Sequence, residues 1–162
     1  MFTLRPERPE DGPAIETLLD VSFGPGRFAK TAYRLREGVA AISALSYVAE
    51  EDGELRGTIR YWPVLIGGAA SLMLGPIAVL AAHRGRGMAV GLMNETLALA
   101  ALLGHRSVVL VGDEPYYARV GFSRVPAGLM TMPGPVDYAR LLWRALAPGG
   151  LDGLQGAIAR AA

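Results

Sequence analysis

The 162-residue chain has no cysteine, and this one absence removes disulfides, thiolate nucleophiles and thiolate metal ligands together. Imidazole is almost missing too: His83 and His105 are the only histidines, so a histidine-rich metal site is excluded and no metal is expected. Lysine is reduced to Lys30, and the other basic residues are arginine, sixteen basic groups against fifteen acidic ones for a net charge of +1. A chain so near neutrality has no bulk field for gripping nucleic acid or an anionic membrane. There is no basic start followed by an apolar run, because Met1 to Asp11 already carries Arg5, Glu7, Arg8 and Glu10; a secretory leader is not expected. The longest apolar stretches, such as Val64 to Leu74, contain glycine and are too short to cross a bilayer. The expected location is cytoplasmic.

What the chain does have is core material. Apolar residues make up 51% and charged residues 19%, which suits one hydrophobic interior and predicts a single domain over residues 1–162. A short strand over Phe2 to Arg5 precedes a helix from Gly12 to Val21, where Ile15, Leu18 and Leu19 recur at helical spacing after Asp11. Ser22 to Lys30 reads as a loop, and Thr31 to Glu37 as a second helix. Ala44 to Ala49 and Leu55 to Trp62 flank the turn Glu51-Asp52-Gly53-Glu54 as a hairpin, with Pro63 interrupting. Ser71 to Leu80 is a further strand, with an irregularity expected at Gly75-Pro76. Met88 to Leu103 is a long helix with Ala89, Leu92, Met93, Leu97, Ala100 and Leu103 at buried spacing, and Ser107 to Val111 a wholly internal strand. Strand, loop, helix, strand predicts a parallel pair. Pro115 starts a short helix ended by Gly121, Ala139 to Leu146 is one more strand, and the last ten residues carry no clear pattern.

Arg84-Gly85-Arg86-Gly87-Met88-Ala89 lies between an apolar strand and the start of the longest helix. A helix start leaves amide hydrogens unpaired and favours negative charge. Gly85 and Gly87 let phosphate oxygens approach the backbone, Ala89 keeps the first turn close, and Arg84 and Arg86 add charge at the rim. No Gly-Lys-Ser/Thr follows, and Val90 stands where a dinucleotide fingerprint needs its third glycine, so neither nucleotide motif applies. The same residues also suit a simple tight turn with both arginines in water.

The chain resembles the GNAT superfamily of N-acetyltransferases, and its segments look most like the YhbS-like branch. Arg84, Gly87 and Ala89 satisfy the family hallmark of Arg or Gln, two residues, Gly, one residue, then Gly or Ala. Leu74 to Val79 resembles the coenzyme-binding strand, and Tyr116 to Phe122 the aromatic-Tyr-x-x-x-Gly-Phe segment, in the family's order. The resemblance implies an α/β fold of the α+β type: a mixed, centrally splayed sheet flanked by helices. It also implies a single acyl-CoA N-acyltransferase domain with acetyl-CoA as cofactor and coenzyme A as product. Backbone groups of Ile77, Ala78 and Val79 would bond the pantetheine arm or the thioester carbonyl. Amides from Gly85 through Arg86, Gly87 and Met88 to Ala89 would cradle the diphosphate. Transfer would be direct, without an acyl-enzyme, and Tyr117 would protonate the departing thiolate.

Packing against the sheet is the competing role for Tyr117. The base is open: Leu72, Met73 and Leu74 stand where a carboxylate is sought, leaving Glu50, Glu51, Asp113, Glu114, His105 or a water relay. The acceptor side falls to Phe23 to Lys30, Tyr33 and Val125 to Tyr138, which suit a small-molecule or peptide amine without specifying one. An acyl-CoA-binding regulatory or interaction domain with little catalysis is the alternative. Terminal strand and apolar patches also allow a homodimer.

Overall fold

The computed structural model describes residues 1–161. Its elements are β1 (Thr3–Pro6), α1 (Gly12–Phe23), α2 (Thr31–Arg34), β2 (Tyr47–Glu51), β3 (Glu54–Ile66), β4 (Ala69–Val79), α3 (Met88–Leu102), β5 (Ser107–Val111), α4 (Glu114–Tyr117), β6 (Ser123–Arg124), β7 (Met130–Thr131), β8 (Leu141–Ala145) and β9 (Gly156–Arg160). The main sheet runs β1-β2-β3-β4-β5-β8-β6, with β9 on β3 and β7 on β9. Within that main order β4 and β5 form the parallel pair and the other neighbours are antiparallel. This is the mixed α/β sheet flanked by helices that the sequence predicts.

Alternation along the strands sends side chains to two faces, and helices cover both. Ala49, Ile59, Tyr61, Leu72, Leu74, Val108, Leu110 and Leu142 pack beneath Met88, Leu92, Met93, Leu97 and Ala100 of α3. On the other face Val48 and Ala78 meet Ile15, Leu18 and Leu19 of α1. Val64, Ile66, Met73, Val109 and Leu141 form a second cluster there with Leu35, Met130, Leu154 and Ile158. Thr96 is the polar member of the buried α3 stripe; it hydrogen-bonds the Tyr61 hydroxyl at 2.8 Å and donates to the Leu92 carbonyl at 2.6 Å. Leu103, predicted to be buried, is exposed because it follows the last helical residue and leaves the stripe.

Three expectations change. Strand β3 runs through Pro63 rather than stopping there. The Tyr61 carbonyl accepts from Ile42 N–H at 2.9 Å, on the edge of β3 away from β4, so Pro63, two residues on, turns its nitrogen to that edge too. Along this edge β2 has ended at Ile59 and β9 begins at Val64, so no ladder bond is lost. Helix α2 stops at Arg34 instead of Glu37, the chain continuing in turns to Gly38 at φ 71°. The unreadable last ten residues contain β9, whose Ile158 is buried on β3.

The irregularity at Gly75-Pro76 is a bulge: Ile59 pairs with Ile77 while Tyr61 pairs with Leu74, so β4 carries one extra residue. That residue shifts the alternation, which keeps both Leu74 and Val79 on the α3 face. Just before it the sheet parts. Strands β4 and β5 pair at Leu72 with Val108 and Met73 with Val109, and no further.

Candidate functional site

The gap between β4 and β5 is the centre of two adjoining cavities, of about 660 Å³ and 430 Å³. Both are lined by Phe23, Ile77, Tyr116 and Tyr117. The smaller continues along Ile77, Ala78 and Val79 to Arg84, Gly85, Gly87, Met88 and Ala89 at the start of α3. The larger runs the other way, past Met73 to Pro76, Val111 to Asp113 and the turns around Lys30, Arg36 and Asp137.

Hydrogen-bond direction says which backbone groups of β4 face the gap. Leu80 N–H donates to Arg56 carbonyl at 2.9 Å, so Arg56 and Leu80 are a hydrogen-bonded pair, and in the same register so are Thr58 and Ala78. Ala78 therefore turns its backbone to β3, while Ile77 and Val79 turn theirs to the gap. Arg84 Nε donates to the Val79 carbonyl at 3.1 Å from that open side. Of the three backbone positions expected from sequence, Ala78 lines the cavity but has its polar groups in the ladder.

The turn into α3 is built from left-handed glycines, Gly85 at φ 78° and Gly87 at φ 85°, conformations that favour residues without a Cβ. Gly87 is the N-cap, and its carbonyl accepts the first helical bond from Gly91 at 2.8 Å. Among the described residues, no carbonyl or side chain accepts from the amides of Gly85, Arg86, Gly87, Met88, Ala89 or Val90. Six consecutive donors thus sit at the positive end of a 15-residue helix, and all their residues but Arg86 line the smaller cavity.

Arg86 is placed differently from the rim position expected of it. Its guanidinium meets Glu51 in two bonds of 2.8 and 2.5 Å and does not line the smaller cavity. Glu51 also meets the N-terminal ammonium at 3.1 Å, and the Arg86 bonds, then that ammonium, hold its carboxyl down at about 2. The pair ties the turn to the end of β2. Glu51, and Glu50 which bonds Arg5 at 2.5 Å, line neither cavity. Glu114 accepts from the Arg124 amide at 3.1 Å, and neither His105 nor Glu114 lines either cavity. Asp113 does line the larger one, its side chain 76% exposed and 3.5 Å from Arg140.

Tyr117 stands where the two cavities meet. Its ring is edge-on to Tyr116 at 5.0 Å and to Phe122 at 6.2 Å. Burial, with Tyr116 and Asp113 adding to it, pushes the phenol up to about 12, so it stays protonated through the neutral range. Gly112 makes the ring's place: a Cβ there would lie 2.3 Å from Tyr117 Cε2. Sequence reading missed Gly112, although a glycine breaking the apolar run of β5 just before Asp113 is the signal that was available. It also missed Arg36, which lines the larger cavity.

A parallel central pair that opens halfway, with unpaired helix-start amides along the opening, defines an α/β protein with a donor-lined cleft between its strands. The Acetyltransferase (GNAT) domain family matches residues 43–124, from before β2 to the end of β6, and the chain belongs to this family, close to its YhbS branch. The uncharacterized N-acetyltransferase YhbS of Escherichia coli strain K12 is 32% identical over 158 residues, covering 96% of this chain and 93% of that protein. The crystal structure of GNAT family N-acetyltransferase YhbS from Escherichia coli in complex with CoA matches at a TM-score of 0.84 and 30% identity, over 98% of this chain and 89% of that one. A GNAT family acetyltransferase from Brucella melitensis, in complex with acetyl-CoA, matches at 0.72 and 34% identity, over 100% and 97%.

Proposed function

We propose that the protein is an acetyl-CoA-dependent N-acetyltransferase that passes the acetyl group directly to the amine of a small molecule or peptide. The observation that carries this reading is the run of six unpaired amides, Gly85 to Val90, opening onto a cavity that leads to Tyr117. The two relatives with CoA and acetyl-CoA bound support it. When bound, acetyl-CoA supplies an acyl thioester open to attack by an amine.

The chain's own groups divide the work by position. The amides of Gly85 to Val90 hold a diphosphate, helped by the dipole of α3. The gap-facing backbone of Ile77 and Val79 aligns the arm that follows, and Ile77 N–H is the donor nearest the bulge for a carbonyl oxygen gaining charge. Tyr117 Oη holds a proton through neutral pH and gives it to the departing sulfur. The acceptor amine enters from the larger cavity, and its proton leaves to water there, beside Asp113.

Calorimetric titration with acetyl-CoA, then thiol release against a panel of amines and peptides, tests the proposal. Tyr117→Phe is expected to lower kcat by about 10²-fold or more, the scale of general-acid assistance, with coenzyme affinity held within about twofold. Failure of every coenzyme A species to bind at millimolar concentration sinks the reading. Tight binding with no turnover across the whole panel favours an acyl-CoA-binding regulatory domain instead.

A further inference from the structure

Among the described residues, the larger cavity holds a half-buried cation without a counter-ion. Five basic side chains line it, Arg27, Lys30, Arg34, Arg36 and Arg140, against Asp113 and Asp137. Arg27 is bound by Glu16 at 2.7 Å and by Asp20, Arg34 donates to the Pro133 carbonyl at 2.9 Å, and Arg140 faces Asp113 at 3.5 Å. Lys30 is exposed and lies over the Phe23 ring at 5.2 Å, whereas Arg36 is half-buried and has no such bond. Among the described residues no carboxylate lies within salt-bridge distance of it, and its Nε and Nη1 are sealed from water with no hydrogen-bond partner. The nearby acids are engaged or turned away: Glu16 holds Arg27, Glu7 holds Arg60 at 2.8 Å, and Glu37 is exposed and forms no ion pair.

The group is nevertheless held in place. Its guanidinium lies over the Tyr33 ring at 4.4 Å and near the Trp62 ring at 5.7 Å. Trp62 in turn donates its indole N–H to the Gly75 carbonyl at 2.6 Å. Nη2 points at the bulge, so closely that a Cβ on Gly75 would sit 2.9 Å from it. Gly75 is two residues before Ile77, at the point where the sheet parts. Burial, with Arg60 adding to it, pulls the guanidinium down to about 10, which leaves it charged at neutral pH. A half-buried cation without an anion is costly, and Nη2, the one guanidinium nitrogen not sealed from water, offers a charged hydrogen bond to an anion such as a carboxylate.

We infer that the acceptor is an amine that also carries a carboxylate, recognised by the Arg36 guanidinium at the Gly75 end of the larger cavity. This rests on the proposed acetyl transfer and specifies its substrate class. The carboxylate belongs to a free amino acid or to an acidic peptide; the two share the chemistry and differ in the length of chain that carries the amine. Docked on Nη2, the acid end fixes the molecule by one terminus. The amine then lies toward Ile77 and Tyr117, which line the same cavity.

Matched acceptors decide it. Each α-amino acid is paired with its carboxamide, 4-aminobutyrate with its amide, and a peptide bearing Asp at position two with its Asn counterpart. Thiol release gives kcat/KM, and calorimetry on the coenzyme A-loaded protein gives binding. In at least one pair the acid is expected to exceed the amide by tenfold or more in kcat/KM or affinity, and which pair responds separates amino acid from peptide. Arg36→Met is expected to bring that ratio within about threefold at unchanged acetyl-CoA affinity, and Arg36→Lys to keep part of it. Arg36→Met removes an unpaired half-buried charge, so its Tm should equal or exceed that of the parent; should it fold poorly, Arg36→Lys carries the comparison. Equal or reversed preferences, or no response to any pair while acetyl-CoA binds, overturn the inference. Loss of acetyl-CoA binding itself is seen in the coenzyme titration alone, and then the underlying reading fails and takes this one with it.

Discussion

Gly112 and Tyr117 show how little separates a placed side chain from a displaced one. The ring occupies the space that any Cβ at Gly112 would need, with Cε2 at 2.3 Å, Cδ2 at 2.9 Å and Leu110 Cδ1 at 3.2 Å from that position. Gly112→Ala therefore pushes the phenol out of the junction between the cavities, or opens β5 from α4. Overpacking of this kind costs about 1–3 kcal/mol, so the variant should fold with a lower Tm. Thiol release should fall as far as in Tyr117→Phe while coenzyme affinity holds, because the amides at the α3 start are untouched. Equal kcat in Gly112→Ala and parent would show that the ring's position does not matter to turnover. Tyr117 was legible as a member of an aromatic-Tyr-x-x-x-Gly-Phe segment, whose spacing is local. Gly112, five residues before Tyr117, was there to be read as a break in the apolar run of β5, whereas Arg36 is marked by the lack of an acidic partner, which spacing along the chain does not encode.

At the scale of elements, the turn before α3 works because its two ends are fixed. The helix holds one, and the Glu51 bonds to Arg86 hold the other. Sequence reading found the turn from its glycines but placed Arg86 toward the ligand, because the partner strand lies 35 residues earlier. The same limit hid Pro63, harmless only because its nitrogen faces the stretch of edge between β2 and β9. Glu51 also gives the fold an acid dependence. Its folded carboxyl titrates at about 2, below an ordinary value of 4.5, so its stabilising contribution is complete above pH 4.5 and is lost as pH falls toward 2. Asp11, held down chiefly by Arg5, adds a slope of the same sign. In Glu51→Gln, urea melts taken between pH 5 and pH 2.5 should show a shallower decline in stability than the parent, with the Asp11 part remaining. Parallel declines in the two proteins would mean that Arg86 does not depress Glu51.

Across the whole molecule, the cleft and the C-terminal cover are built on different parts of the sheet. The apolar runs of β3, β4 and β5, set off by turns and by the helix between the last two, made the layered α/β arrangement legible, and the family resemblance supplied the splay; the closing strand β9 was not legible because Ala157, Ile158 and Ala159 carry too little pattern of their own. Ile158 is buried with Val64, Ile66 and Met130, none of which lines the smaller cavity. Ile158→Ala should cost about 2–5 kcal/mol, the range for buried isoleucine truncation, and lower Tm accordingly. The smaller cavity, proposed to take the coenzyme, lies elsewhere, lined by the end of α1, β4, the start of α3 and α4. At 100 times its Kd a ligand that binds only the folded state stabilises by about 2.7 kcal/mol. For a chain of this size that is a rise of about 5–10 °C in Tm. Sites without shared partners add, so parent and Ile158→Ala should show the same rise on saturation with acetyl-CoA, from different starting temperatures. If the rise collapses in the variant, β9 helps set the width of the gap between β4 and β5, and the two halves of the sheet act as one unit.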